Sequence, residues 1–133
     1  MTTYLPVKTI ENFMTDVFEG LGVPRDEARI CADVLIASDL RGIESHGVGR
    51  LKYYYDRIRA GVQFTTTEIE IVKETETTVL IDGRHGMGHV IAHRAMRMGW
   101  TRRGSMGWAR RRCAMGRILA LRVIIRSWPC RRA

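Results

Sequence analysis

The sequence has 133 residues and a formal net charge of +8 at pH 7, from 22 Lys and Arg against 14 Asp and Glu. The charge is divided unevenly: residues 1–99 carry a net of −2, whereas residues 100–133 contain ten Arg and no acidic residue, a net of +10. A hydrophobic content of 45% excludes wholesale disorder, and the absence of any apolar run of about 18 residues predicts no transmembrane helix. The two parts of the chain need separate explanations.

The cysteines and the N-terminus suggest a cytoplasmic protein with reduced thiols. Cys31, Cys113 and Cys130 are odd in number and lack C-x-x-C spacing, which argues against a disulfide framework and a zinc finger. The first residues lack the basic and then apolar pattern of a secretory signal.

Two helices are predicted at the start of the chain. Apolar residues recur every three or four positions over residues 7–21, and Gly20 and Gly22 end this first helix. Pro24 suits the first turn of a second helix that runs to about Leu40. The apolar face of the first is Val7, Ile10, Phe13, Met14, Val17, Phe18 and Leu21; that of the second is Ala28, Cys31, Ala32, Leu35 and Ile36.

A third helix, a hairpin and a fourth helix are predicted next. The third helix is expected over residues 45–60. Alternating apolar and polar residues predict two short strands, 68–73 and 77–82, paired as a hairpin. The residues expected to face inward are Val48, Leu51, Tyr55 and Ile58 in the third helix and Val90, Ile91, Ala95 and Met98 in the fourth.

The chemistry-bearing residues concentrate at Ser45, His46 and Arg50. A helix over 45–60 would place His46 and Arg50 on one face, about one turn apart. Oxidation of a 2-hydroxy acid needs such a pair, because Arg can clamp a carboxylate with two hydrogen bonds while His accepts the hydroxyl proton. Ser45 could orient the ring or relay the proton. From spacing alone, a capping Ser, a structural His and a surface Arg are the more common interpretation, because such pairs are frequent.

The segment around these residues resembles the signature of the type-2 malate/L-lactate dehydrogenase family. The resemblance rests on Leu40-Arg41-Gly42-Ile43-Glu44-Ser45-His46-Gly47, and it extends over residues 5–98, including Gly22-Val23-Pro24 and Ile81-Asp82-Gly83. It implies an α+β fold of non-Rossmann type, in which three N-terminal helices, a short β-hairpin and the start of a fourth helix form part of the family domain.

The same resemblance implies the activity. Members of this family are NAD- or NADP-dependent oxidoreductases of 2-hydroxy and 2-oxo acids, and they form homodimers. By resemblance, His46 would be the proton donor, Ser45 the relay and Arg50 the ligand of the substrate carboxylate. Neither the particular 2-hydroxy acid nor the choice between NAD and NADP is specified, and no cofactor-binding residue is assigned.

Two further patterns are weaker. Gly86-Met87-Gly88 follows a predicted strand and opens a helix, but Ile91 stands where a dinucleotide fingerprint needs Gly or Ala. Close packing of the helix start is therefore the expectation. His85, His89 and His93 recur at four-residue steps without a carboxylate or Cys to complete a metal site, so solvated histidines and no metal are expected.

The basic tail, 99–133, is predicted to be irregular and to be read out of frame. When the last base of each codon is joined to the first two of the next, allowed codons from Gly99 to Ala109 encode M-D-K-A-R-(K/E)-(Y/H)-G-(V/M)-G. The stretch from Met115 to Pro129 permits N-G-(A/S/T)-H-F-G-I-A-G-Y-Y-S-(L/I)-M-A. Both strings resemble the continuation of the family, so a one-nucleotide deletion within or next to the codon for residue 99 is expected, leaving a truncated, inactive enzyme.

A different class of function uses the tail itself. Its ten Arg and three Trp could provide phosphate contacts and base stacking, which makes a basic nucleic-acid-binding module the alternative. A membrane-surface helix ranks below it, because the Arg residues fall on no single face.

Overall fold

A computed structural model describes the backbone of residues 5–74, 78–102, 110–114 and 120–124, with side chains for 5–74 and 79–98. The chain divides into two compact units. The helical unit contains residues 5–67 and 85–90, and the sheet unit contains residues 68–84 and those from 91 onward. No helix within the described ranges is long and apolar enough to cross a membrane.

The helical unit consists of three α-helices and two short 3₁₀ turns. Helix α1 spans Val7–Gly20 and α2 spans Arg25–Asp39, close to the predicted bounds. Two 3₁₀ turns, Glu44–His46 and Val48–Arg50, lead into α3, Leu51–Arg59.

The core of the helical unit forms where α1 and α2 pack together. Phe18, Met14 and Leu35 are its largest fully buried side chains, and the predicted buried stripe of α2 is confirmed from Ala28 to Leu35. Phe13 is 55% exposed, so the apolar face of α1 is wider than the surface that its neighbours cover. The complete buried set is Met14, Phe18, Val23, Ala28, Cys31, Ala32, Leu35, Leu51, Met87 and Val90.

The predicted third helix is wrong over its first six residues. Residues 45–50 form 3₁₀ turns, and the α-helix begins only at Leu51. Gly47 and Gly49 favour this outcome because glycine costs about 1 kcal/mol in a helix interior. Leu51 is buried as predicted, whereas Val48 and Tyr55 are exposed.

A buried polar network ties the start of α2 to the loop that follows α3. The Glu27 carboxylate accepts a hydrogen bond from the Thr67 backbone N–H at 3.2 Å, and the Thr67 hydroxyl accepts one from the Met87 N–H at 3.2 Å. Glu27 and Thr67 are both buried. Because a buried carboxylate is costly unless hydrogen-bonded, this network accounts for an acidic residue inside the unit.

The sheet unit is built on the predicted hairpin. Strand β1, Glu70–Glu74, pairs antiparallel with β2, Thr78–Asp82, and a register shift lies between Ile71 and Lys73. Helix α4 spans Gly88–Arg102 and starts where the sequence predicts. Val79 and Ile81 of β2 and Ile91 and Ala95 of α4 form the buried core.

Gly83 allows α4 to pack close to the end of β2. A Cβ atom at this position would overlap the Ile91 side chain, which is itself fully buried. The close helix–strand packing expected near Gly86–Gly88 therefore depends on Gly83.

The expectation of an irregular tail is wrong for two stretches. Strand β3, Arg110–Ala114, pairs parallel with β2, and β4, Ala120–Ile124, pairs antiparallel with β3, which gives the sheet order β1-β2-β3-β4. The scattered Arg residues interrupt the apolar–polar alternation by which strands are predicted from sequence, although Val123 and Ile124 are β-branched and favour a strand.

Candidate functional site

Ser45 joins the two other predicted site residues. Its Oγ lies 3.0 Å from Nδ1 of His46, and its backbone carbonyl accepts a hydrogen bond from Nε of Arg50 at 3.0 Å. Ser45 and His46 are exposed, and Arg50 is half-buried. The structure therefore brings the three residues together through Ser45 and not through the α-helical face that the sequence predicts.

The turn between His46 and Arg50 is fixed by Asp39 at the end of α2. The Asp39 Oδ2 accepts a hydrogen bond from the Val48 backbone N–H at 2.8 Å. A Cβ atom on Gly47 would overlap the same carboxylate, so the backbone approaches Asp39 as closely as glycine permits. Gly47 is buried although its neighbours are exposed.

Arg50 also contacts the first turn of α3. Its guanidinium carbon lies 5.5 Å from the centre of the Tyr53 ring, a cation–π distance. Arg57 lies 5.4 Å from the same ring and donates a hydrogen bond to the Tyr53 hydroxyl at 3.2 Å. The Nε of Arg50 is engaged by Ser45, so the terminal nitrogens are the part of the fork available to an anion.

Tyr54 and His89 form a second polar pair. The Tyr54 hydroxyl lies 3.2 Å from Nε2 of His89, and the rings pack edge to face with centroids 5.0 Å apart. Burial raises the pKa of Tyr54, and the positive charge of Arg50 opposes that rise. Burial lowers the pKa of His89, whose Nδ1 is buried with no hydrogen-bond partner in the described structure. His89 is therefore held as a neutral imidazole.

The three regularly spaced histidines have different surroundings. His85 is exposed and packs edge to face on Phe64, 5.6 Å between centroids, and His93 is exposed. The expectation of a solvated side chain is wrong for His89, because it packs against Tyr54. Among the described side chains, no group of three His, Cys, Asp or Glu could hold a metal ion.

The residues around Gly86-Met87-Gly88 do not fit a dinucleotide. Ile91, at the place where the fingerprint needs a small residue, is buried in the core of the sheet unit. Met87 is buried and accepts a hydrogen bond through sulfur from Nε2 of Gln63 at 3.2 Å.

Asp39, Tyr54 and His89 are the residues that sequence reasoning missed. The pair of glycines at positions 47 and 49 is a signal for close backbone approach, but it does not identify the approaching group. Asp39 is nine residues from its partner Val48, and Tyr54 is 35 residues from His89. Contacts between residues this far apart in sequence leave no periodic pattern from which they could be predicted.

The chain is similar to known dehydrogenases. A sequence model described as malate/L-lactate dehydrogenase matches residues 5–111. Malate dehydrogenase from Pyrococcus horikoshii is 42% identical over 94 residues, which are 71% of this chain and 26% of that protein. L-sulfolactate dehydrogenase from Methanothermobacter thermautotrophicus is 42% identical over 92 residues, which are 69% of this chain and 26% of that protein.

Solved structures agree with this similarity. The structure of malate dehydrogenase from Pyrococcus horikoshii OT3 matches with a TM-score of 0.80 at 36% identity, covering 84% of this chain and 32% of that one. The match confirms the α+β fold class. The chain spans about a quarter of the length of the curated relatives it matches.

Proposed function

The chain belongs to the malate/L-lactate dehydrogenase family, and we propose that it carries the substrate-side residues of an enzyme that transfers hydride between NAD(P) and a 2-hydroxy or 2-oxo acid. The observation that carries the proposal is the arrangement at Ser45, which holds the His46 ring through its hydroxyl and the Arg50 side chain through its carbonyl. A proton carrier and a carboxylate ligand are thereby anchored to one residue.

Arg50 binds the substrate carboxylate. Its Nε donates to the Ser45 carbonyl and its guanidinium carbon lies 5.5 Å from the centre of the Tyr53 ring, so the side chain is restrained before an anion arrives. The planar fork formed by its terminal nitrogens matches the two oxygens of a carboxylate. Orientation in advance reduces the entropy lost on binding.

His46 transfers the proton. With Nδ1 next to the Ser45 hydroxyl, Nε2 is the ring nitrogen that faces the reacting oxygen. When Ser45 donates to Nδ1, Nε2 carries the proton that a 2-oxo group needs on reduction. Nε2 gives up this proton as Nδ1 takes the Ser45 hydroxyl proton, which the exposed Ser45 recovers from solvent. Oxidation runs the same steps in reverse: Nε2 accepts the proton of the 2-hydroxy group while Nδ1 returns one to Ser45, which releases one to solvent.

Nicotinamide would supply the hydride chemistry. The proposed cofactor is NAD or NADP. The substrate class is small 2-hydroxy and 2-oxo acids, and a cytoplasmic homodimer is part of the same proposal. Burial raises the pKa of the Cys31 thiol to about 12, which keeps that thiol protonated and unreactive.

The tail after residue 98 is proposed to be out of frame. The alternative frame specifies a family-like continuation, and the chain as it stands is proposed to be inactive, with 1–98 the family region and 99–133 no domain of its own. The nucleotide sequence over codons 95–133 and beyond tests this. A frame that continues as family sequence after one inserted base supports the proposal, and an intact frame without such a continuation contradicts it.

The catalytic role is tested in a gene whose frame is restored by one inserted nucleotide at codon 99. His46→Asn retains a polar atom at the Nδ1 position but has none at Nε2. We expect kcat for NAD(P)H-dependent 2-oxo acid reduction to fall by about 10²–10⁴, with a small change in KM. His93→Gln is the control, since His93 is exposed and outside the site. Unchanged kcat in His46→Asn would remove His46 from the mechanism.

No observation supports the alternative of a nucleic-acid-binding module. The Arg and Trp side chains of residues 100–133 lie outside the described side chains, and the relatives reported above are dehydrogenases. A nonspecific, salt-sensitive affinity for polyanions is expected of any segment with ten Arg.

A further inference from the structure

The spacing between His46 and Arg50 depends on a short run of backbone that could adopt other conformations. Gly47 and Gly49 are both in this run, and the backbone of each glycine has a wider range of dihedral angles than other residues allow. Productive geometry at a catalytic site requires placement to within about 0.5 Å. Some contact must therefore restrain the run.

Local hydrogen bonds restrain it only in part. The Gly47 N–H donates to the Glu44 carbonyl at 3.2 Å, and the Arg50 N–H donates to the Gly47 carbonyl at 2.9 Å. Both belong to single 3₁₀ turns, which are weak alone because their hydrogen-bond geometry is poor. Gly47 is shared by both turns, so displacement of Gly47 would displace His46 and Arg50 together.

Asp39 supplies the contact from outside the run. It lies in the last turn of α2, whose backbone is anchored in the core of the helical unit through Leu35. Its carboxylate accepts the Val48 N–H at 2.8 Å and occupies the space next to the Gly47 Cα. A charged acceptor makes this hydrogen bond stronger than a neutral one would be.

We infer that Asp39 is a positioning residue, which sets the distance between the His46 imidazole and the Arg50 guanidinium by holding the Gly47–Val48 peptide against the end of α2. Asp39 is not required to touch the substrate. The inference rests on the proposed roles of His46 and Arg50, but its geometric content concerns the chain whether or not it turns over a substrate. The contact also requires glycine at position 47, because a Cβ atom there would displace the Asp39 carboxylate.

The test follows the Arg50 side chain by NMR in the ¹⁵N-labelled 133-residue chain. Two exchange rates are measured: the Val48 amide, which reports the direct bond, and the Arg50 Nε–H, which reports the bond to Ser45 and which Asp39 does not touch. Asp39→Ala is expected to raise both exchange rates about tenfold, as expected for loss of one hydrogen bond. Asp39→Asn keeps an acceptor oxygen and is expected to leave both rates near those of the unchanged chain.

Asp33→Ala is the matched control, since Asp33 is an exposed carboxylate on the same helix, and it should alter neither rate. Faster Val48 exchange with unchanged Arg50 Nε–H exchange in Asp39→Ala would overturn the inference, because the bond would then be purely local. If Asp39→Ala unfolds by circular dichroism, Asp39→Asn decides: retained protection of Arg50 supports the inference, and lost protection in a folded chain overturns it. None of these readouts needs turnover, so a failure here is distinct from a failure of the dehydrogenase proposal.

Discussion

Ser45 serves its two neighbours with two different groups, the hydroxyl for His46 and the carbonyl for Arg50. The division matters because a substitution of the side chain removes only the first contact. The carbonyl contact depends on the backbone conformation of the 3₁₀ turns. At the scale of single residues, the geometry of the site thus depends on the backbone conformation at Ser45 as well as on its side chain.

Arg50→Lys tests the carboxylate clamp. Lysine keeps the charge but loses the planar fork and the Nε donor that Ser45 holds. In the frame-restored enzyme we expect kcat/KM for 2-oxo acids to fall by about 10- to 100-fold, mainly through KM, since hydrogen bonds to charged groups contribute about 1.5–3 kcal/mol. Arg59→Lys, in the last turn of α3 and exposed, should match the unchanged enzyme. Equal effects of the two substitutions would exclude a special role for Arg50.

His89→Gln tests the neutral buried imidazole. Burial lowers the pKa of His89 in the folded chain below its ordinary value of 6.5, so the unfolded chain binds the proton more readily. The free energy of unfolding is therefore expected to fall as pH decreases below 6.5, towards the lowered pKa. Glutamine keeps a polar group near Nε2 for Tyr54 but does not titrate, so His89→Gln should show a shallower decline.

Denaturant unfolding at a series of pH values measures this difference. His93→Gln is the control, because His93 is exposed, and it should retain the slope of the unchanged chain. Identical slopes for His89→Gln and the unchanged chain would mean that the His89 imidazole does not contribute to the pH dependence.

At the scale of elements, the packing of α4 on β2 depends on Gly83. Gly83→Ala places a Cβ atom where the Ile91 side chain lies, and overpacking of this kind costs about 1–3 kcal/mol. Gly20→Ala has open space around it, and it should leave the free energy of unfolding unchanged or raise it by up to about 1 kcal/mol. Thermal or denaturant unfolding measures the change in the free energy of unfolding for each of the two variants. Equal stability of Gly83→Ala and Gly20→Ala would contradict the close packing.

The elements that the sequence predicts well are those set by local patterns. The four-residue spacing of Met14 and Phe18 locates α1, and the alternation that contains Val79 and Ile81 locates β2. The family resemblance read from the segment around Ser45 is likewise confirmed. A periodic pattern reports which face of an element is buried, so it succeeds where one neighbour covers that face.

The 3₁₀ turns at 45–50 could not be predicted from such local patterns, for a physical reason. Their conformation depends on Asp39, which approaches from another element, and on the lack of a Cβ at Gly47. Strand β3 could not be predicted in this way either, because its parallel partner, β2, is distant in sequence. Contacts of this kind are decided by tertiary structure, which outweighs local propensity.

At the scale of the whole molecule, the net charge of +8 has two origins. Residues 1–99 carry a net of −2 and contain the signature from Leu40 to Gly47, whereas residues 100–133 carry a net of +10. Under the reading-frame proposal, the second value reflects codon usage and has no functional meaning. Under the proposed function, the cation that binds the substrate carboxylate is Arg50, and the ten Arg of the tail add only nonspecific attraction for polyanions.

The most direct measurement is the rate of NAD(P)H oxidation with a panel of 2-oxo acids, for the 133-residue chain and for the protein made after one nucleotide is inserted at codon 99. The account predicts no turnover by the 133-residue chain and a clear rate for the frame-restored protein. Turnover by the 133-residue chain, or none by a folded frame-restored protein that retains Ser45, His46 and Arg50, would contradict it.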